Sequence, residues 1–156
     1  MEMLIMGDTK SIGIAYRDQD IDGGAIGTTT PNTIKGTTIY ATMALGYTTA
    51  SYGTVTQSGS KAAGVTLNAP CGTITTSNAQ MAPSAKVAFV VTNNQVSALD
   101  TVVVNIASGA TATFAYLIAV VTVTDGAFTI NLDNVSSNAY TDTLKINFSI
   151  LHVQPV

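Results

Sequence analysis

Two runs rich in β-branched and aromatic residues, 113–124 and 127–132, are separated only by Asp125-Gly126. An Asp-Gly pair between such runs is a strong short-range hairpin signal, because Gly accepts the positive φ that a tight turn demands. The second run alternates: Phe128, Ile130 and Leu132 share one parity, Thr129 and Asn131 the other. Successive side chains of a strand point to opposite faces, so this run predicts a strand with one buried face. The hairpin and the alternation together commit this part of the chain to an antiparallel sheet.

The same signals recur. Residues 143–153 alternate, with Leu144, Ile146, Phe148 and Ile150 against Lys145, Asn147 and Ser149. Residues 87–92 end at Asn93-Asn94, and residues 101–106 end before Ser108-Gly109. Shorter segments at 54–57, 64–67 and 72–75 bring the expectation to seven or eight strands. Short strands separated by regular turn signals point to a sandwich or a closed barrel, and the expectation is an all-β sandwich or jelly-roll-like domain. Residues 78–88 contain Pro83 and lack a two-turn apolar stripe, so they read as a loop leading into a strand.

The pattern changes near residue 53. Residues 1–52 are rich in Gly and Thr and show no helical period. They read as an N-terminal arm or anchoring segment, with residues 53–156 forming the sandwich domain. Ile5, Ile12, Ile14, Tyr16 and Ile26 are the residues expected to anchor that arm. Residues 39–45 fit a strand or a helical turn equally well.

Charge supplies the next constraint. Only 10% of the residues are charged, against about 25% in an average globular domain. Interfaces between permanent subunits are depleted of Lys, Glu and Asp, so an oligomer is expected. No apolar run reaches the roughly 18 residues of a membrane-spanning helix, so membrane insertion is not expected. The six basic residues are scattered and the net charge is -3, which argues against nucleic-acid binding. The single cysteine, Cys71, excludes an intrachain disulfide. Met1 to Asp8 has no basic and apolar leader pattern, so synthesis in a cytoplasm is expected. The glycosylation sequons at Asn134 and Asn147 then read as ordinary turn and strand residues.

Several segments in order carry a family resemblance. They are Gly53-Thr54-Val55-Thr56-Gln57, Ser60-Lys61, Gly64-Val65-Thr66-Leu67-Asn68 and Pro70-Cys71-Gly72-Thr73-Ile74-Thr75. Val90-Val91-Thr92-Asn93, residues 100–109 and Ile146-Asn147-Phe148-Ser149-Ile150 follow. Together they are similar to the small β domains of tailed-phage and prophage structural proteins, the head-fibre, capsid-decoration and tail-fibre-like group. The resemblance spans residues 53–156. It implies a β-sandwich that assembles as a homotrimer in the virion, on the major capsid protein or another virion protein. Its tail-fibre branch implies a receptor- or glycan-binding module as the alternative.

Candidate chemistry is sparse. Asp18, Asp20 and Asp22 followed by Gly23 match the opening of a calcium loop. Thr29 stands where that motif needs a bidentate Glu, so a solvated acidic loop is the simpler reading and no cofactor is expected. His152, the only histidine, is not preceded by a Gly-x-Ser-x-Gly elbow, and no catalytic set presents itself. The chain is therefore not expected to be an enzyme. Cys71 after Pro70 reads as a buried structural thiol. Tyr16, Tyr40, Tyr47, Tyr52, Tyr116 and Tyr140 suit packing, interface or glycan contact. The loops at Asn93-Asn94, Asp125-Gly126 and Ser136-Ser137-Asn138 are expected at the distal tips.

Overall fold

The computed structural model describes residue 41 and residues 44–153. Residues 52–151 form a β-sandwich. Among the described residues one 3₁₀ turn, Thr49–Ser51, leads into eight strands. They are β1 (Tyr52–Thr56), β2 (Val65–Thr66), β3 (Cys71–Thr75) and β4 (Lys86–Thr92). Then come β5 (Thr101–Ser108), β6 (Tyr116–Thr124), β7 (Ala127–Asn134) and β8 (Lys145–Leu151). No helix among the described residues is long and apolar enough to cross a membrane.

The first sheet has the order β1-β3-β8-β5 and the second β2-β4-β7-β6. The chain changes sheet at almost every connection; only the β6–β7 hairpin stays within one. The expected Asp125-Gly126 turn joins that hairpin, with φ of +78° at Gly126. Two pairs, β1 with β3 and β2 with β4, run parallel. The remaining pairs are antiparallel. The sandwich expectation therefore holds, while the parallel pairs depart from the wholly antiparallel pairing of a jelly roll.

Alternation puts the core where the sequence placed it. Along β7, Phe128, Ile130 and Leu132 are buried, and along β8 so are Ile146, Phe148 and Ile150. Ile74, Phe89, Val91, Val96 and Val102 complete the main cluster. The rings of Phe128 and Phe148 meet across the sheets at 5.4 Å, tilted by 50°, a favoured arrangement of aromatic quadrupoles. A second cluster gathers Met81, Ala115, Tyr116, Leu132 and Leu144. Residues 78–85 are the expected loop, pinned where Met81 bridges Tyr140.

One close approach fixes the parallel pair. Gly53 lies opposite Gly72. A Cβ on Gly72 would sit 2.3 Å from the Gly53 carbonyl oxygen. Glycine inside a strand marks such an approach.

Candidate binding surfaces

Three buried polar nodes set the geometry of the surfaces. At one end of the sandwich, the Asp142 carboxylate accepts from the Thr111 amide at 2.9 Å and from the Thr111 hydroxyl. It also accepts from the Tyr116 hydroxyl at 3.1 Å. Burial alone would raise its pKa, but these donors and the charge of Lys61 hold it below the usual carboxylate range. Burial and the neighbouring carboxylate push the Tyr116 phenol up. The node clamps the loop between β5 and β6. That loop presents Phe114 with φ of +59° and 90% exposure, beside a cavity of about 300 Å³ lined by Ile106 and residues 110–116.

Lys61 lies next to this node with 2% exposure. Its ammonium donates to the Thr76 hydroxyl at 3.2 Å, to the Ser77 carbonyl at 2.5 Å and to the Asp142 carbonyl. Three acceptors match its three protons. Burial lowers its pKa, and the Asp142 charge opposes that. The side chain holds together the loop after β1, the end of β3 and the approach to β8.

Asp100 makes the third node, at the opposite end. It accepts from the Ser97 amide at 2.8 Å, from the Val153 amide at 2.9 Å and lies 2.9 Å from His152 Nδ1. Burial disfavours its charge, but those contacts prevail and bring its pKa down to about 2. The node fastens the chain leaving β8 to the start of β5.

The outer face of the first sheet is crossed by residues 44–51. The Tyr47 hydroxyl donates to the Ile150 carbonyl, and the Cys71 thiol lies 3.7 Å from the Ser51 carbonyl. The strand register sets a transverse row of Thr54, Thr73, Asn147 and Asn105 across this face. The next row is Tyr52, Cys71, Ser149 and Val103. Between the crossing segment and these rows lies an open groove of about 390 Å³, lined by Tyr47, Tyr52, Asn105, Asn147, Ser149 and Leu151 among others. None of the described residues that line it is charged.

The second sheet's outer face differs. Its only ion pair among the described residues is Lys86 with Asp133, at 3.4 Å and at one end. The rest carries Ala88, Val90, Leu117, Ala119 and Val121 with Thr129 and Asn131. Leu117 is 62% exposed and Val121 57%. Among the described residues β6 is an edge strand of nine residues without a charge or a proline, and edge β5 of the first sheet is likewise uncharged. Each edge has one bulge, at 106/108 in β5 and at 120/122 in β6.

The sequence-predicted residues fall into two groups. Asp18, Asp20, Asp22, Ile5, Ile12, Ile14, Tyr16, Ile26 and Tyr40 lie outside the described residues. Among the described ones, Cys71 is buried as expected. Tyr47 and Tyr52 meet at the groove, whereas Tyr116 and Tyr140 pack on each other at 6.1 Å. Asn93 is not a tip. It is fully buried, and its side chain joins the Ala69 carbonyl to the Gln95 amide. The Asp125-Gly126 and Ser136–Asn138 loops lie at opposite ends of β7, about 25 Å apart. Asn134 of the first sequon is a buried node that donates to the Ala82 and Asn138 carbonyls. The sequence reading missed Phe114, the burial of Lys61 and the pairing of Asn105 with Asn147. Only the last had a signal, outward parity in two strands. No family model, curated protein or solved structure matches this chain.

Proposed function

We propose that this chain is a structural subunit of a virus particle, a capsid-decoration or head-fibre protein that works as a homotrimer. The observation that carries this reading is the second sheet's exposed face and edge, where Leu117 and Val121 stand out on the uncharged β6. Long uncharged edges with exposed apolar side chains are template sites for another chain, and monomers blunt them with charge, Pro or bulges; β6 has a bulge but neither charge nor Pro. Here burial against copies of the chain serves the same end. The resemblance of residues 53–156 to phage head-fibre and decoration domains supplies the virion setting, with the major capsid protein or another virion protein as partner. The function is then mechanical and involves no turnover.

The test is the molar mass in solution, by light scattering after size exclusion. Three copies of 16.0 kDa give about 48 kDa, and the trimer should adhere to particles that contain it. A stable monomer overturns the assembly reading.

A further inference from the structure

We infer that the groove on the outer face of the first sheet is a binding site for a neutral saccharide. The site is separate from the β6 face on which the assembly reading rests.

The chemistry of the groove excludes other ligand classes in turn. None of the described residues in its lining is a cation that would neutralise a phosphate, sulfate or carboxylate. A wholly apolar ligand would bury the Asn105 and Asn147 amides without partners, which is unfavourable. An extended peptide that docks by β-addition needs a free sheet edge. This groove lies over β3 and β8, the central strands of their sheet, whose backbone groups already pair on both sides. Recognition here falls to side chains alone.

Those side chains suit a sugar. Tyr47 and Tyr52 supply partly exposed aromatic bodies, and a saccharide ring presents C–H faces that pack on such rings. Both phenols are tethered, Tyr47 to the Ile150 carbonyl and Tyr52 to the Thr73 hydroxyl. The rings are therefore held in place before a ligand arrives, which lowers the ordering cost of binding.

The polar row is oriented by a relay. Thr73 has one hydroxyl proton, and it goes to Asn147 Oδ1 at 2.5 Å. Tyr52 must then be the donor to Thr73. With its oxygen so engaged, Asn147 keeps both Nδ2 protons for a ligand. Among the described residues, neither that nitrogen nor the Asn105 amide has a hydrogen-bond partner. The two asparagines face each other across adjacent strands, about 5 Å apart. That spacing lets adjacent hydroxyls of a single sugar ring meet successive amides, with Ser149 one row away.

The test uses the full chain on an array of neutral cello-, malto-, manno-, galacto- and chito-oligosaccharides, with sialylated and sulfated glycans beside them. Hits are then titrated by tyrosine fluorescence, which no tryptophan obscures. We expect a neutral hit whose affinity falls about tenfold in Asn105→Ala and again in Asn147→Ala. Val121→Lys, on the other sheet, should leave sugar affinity unchanged whatever it does to the molar mass. Asn105 is exposed on an edge strand, so its variant should fold, as circular dichroism will verify. The inference is overturned by an array without neutral hits, by preference for charged glycans, or by binding that survives both asparagine substitutions. Protection of the groove by another protein chain, with no sugar bound, overturns it too.

Discussion

Asp100 shows how one side chain can set a pH limit. Its carboxylate fastens the start of β5 to the residues after β8 through Ser97, Val153 and His152. In the unfolded chain an Asp titrates near 3.9; in the fold the pKa is about 2. A depressed carboxylate contributes stability that is present above the unfolded pKa and lost as pH falls through the folded one. The contribution is about 2 kcal/mol at neutral pH, disappearing between about pH 4 and pH 2. We expect Asp100→Asn to remove that acid limb from urea midpoints measured against pH. It should also cost about 2 kcal/mol at pH 7, since an amide nitrogen then faces a backbone donor. Equal acid slopes in parent and variant would sink this account. None of this node was legible in the sequence. His152 lies 52 residues from Asp100, and no local pattern encodes their meeting. Lys61 was opaque for the same reason: its acceptors lie 15, 16 and 81 residues away.

At the level of elements, the strands themselves were the legible part. Parity alone identified the buried faces of β7 and β8, because a one-residue slip would have turned every apolar side chain to water. The Asp125-Gly126 turn was equally plain. Partner choice was not: the β1–β3 and β2–β4 pairs are closed by crossovers through the other sheet, and nothing local distinguishes those strands from members of a simple meander. Residues 113–115 read as strand because Thr and Phe favour it. Instead the chain turns there and displays Phe114, held from behind by Asp142. Edge strand β6 offers the clearest experiment at this level. Leu117→Lys and Val121→Lys put charge on exposed positions, where folding stability should change by no more than about 0.5 kcal/mol. If β6 is the assembly edge, either substitution should lower the molar mass toward that of one chain while leaving the far-UV spectrum intact. A trimer undisturbed by both would move the interface elsewhere.

For the molecule as a whole, low charge and exposed apolar side chains point the same way. A subunit that hides surface against its copies has a stability linked to concentration. If this chain forms the proposed trimer, its thermal midpoint should climb by a few degrees over a hundredfold rise in protein concentration, and should be flat for the β6 lysine variants. A midpoint independent of concentration in the parent chain, across the range where light scattering finds trimer, would break that linkage. The all-β class and the sandwich could be read directly from residues 53–156, because alternation is a local signal. The groove on the first sheet could not, since it arises only where register lines up Thr54, Thr73, Asn147 and Asn105 from four separate strands.

The position of β8 has a consequence for biogenesis. It is the last of the eight described strands to leave the ribosome, yet it sits between β3 and β5. Until it emerges, neither neighbour has its antiparallel partner, and the first sheet cannot close. Contacts so distant in sequence slow folding and leave strand edges open meanwhile. A nascent chain interrupted before residue 145 would thus lack the middle of a sheet rather than a margin. Only a chain translated through β8 can present the finished faces of both sheets, so synthesis itself acts as a checkpoint on folding.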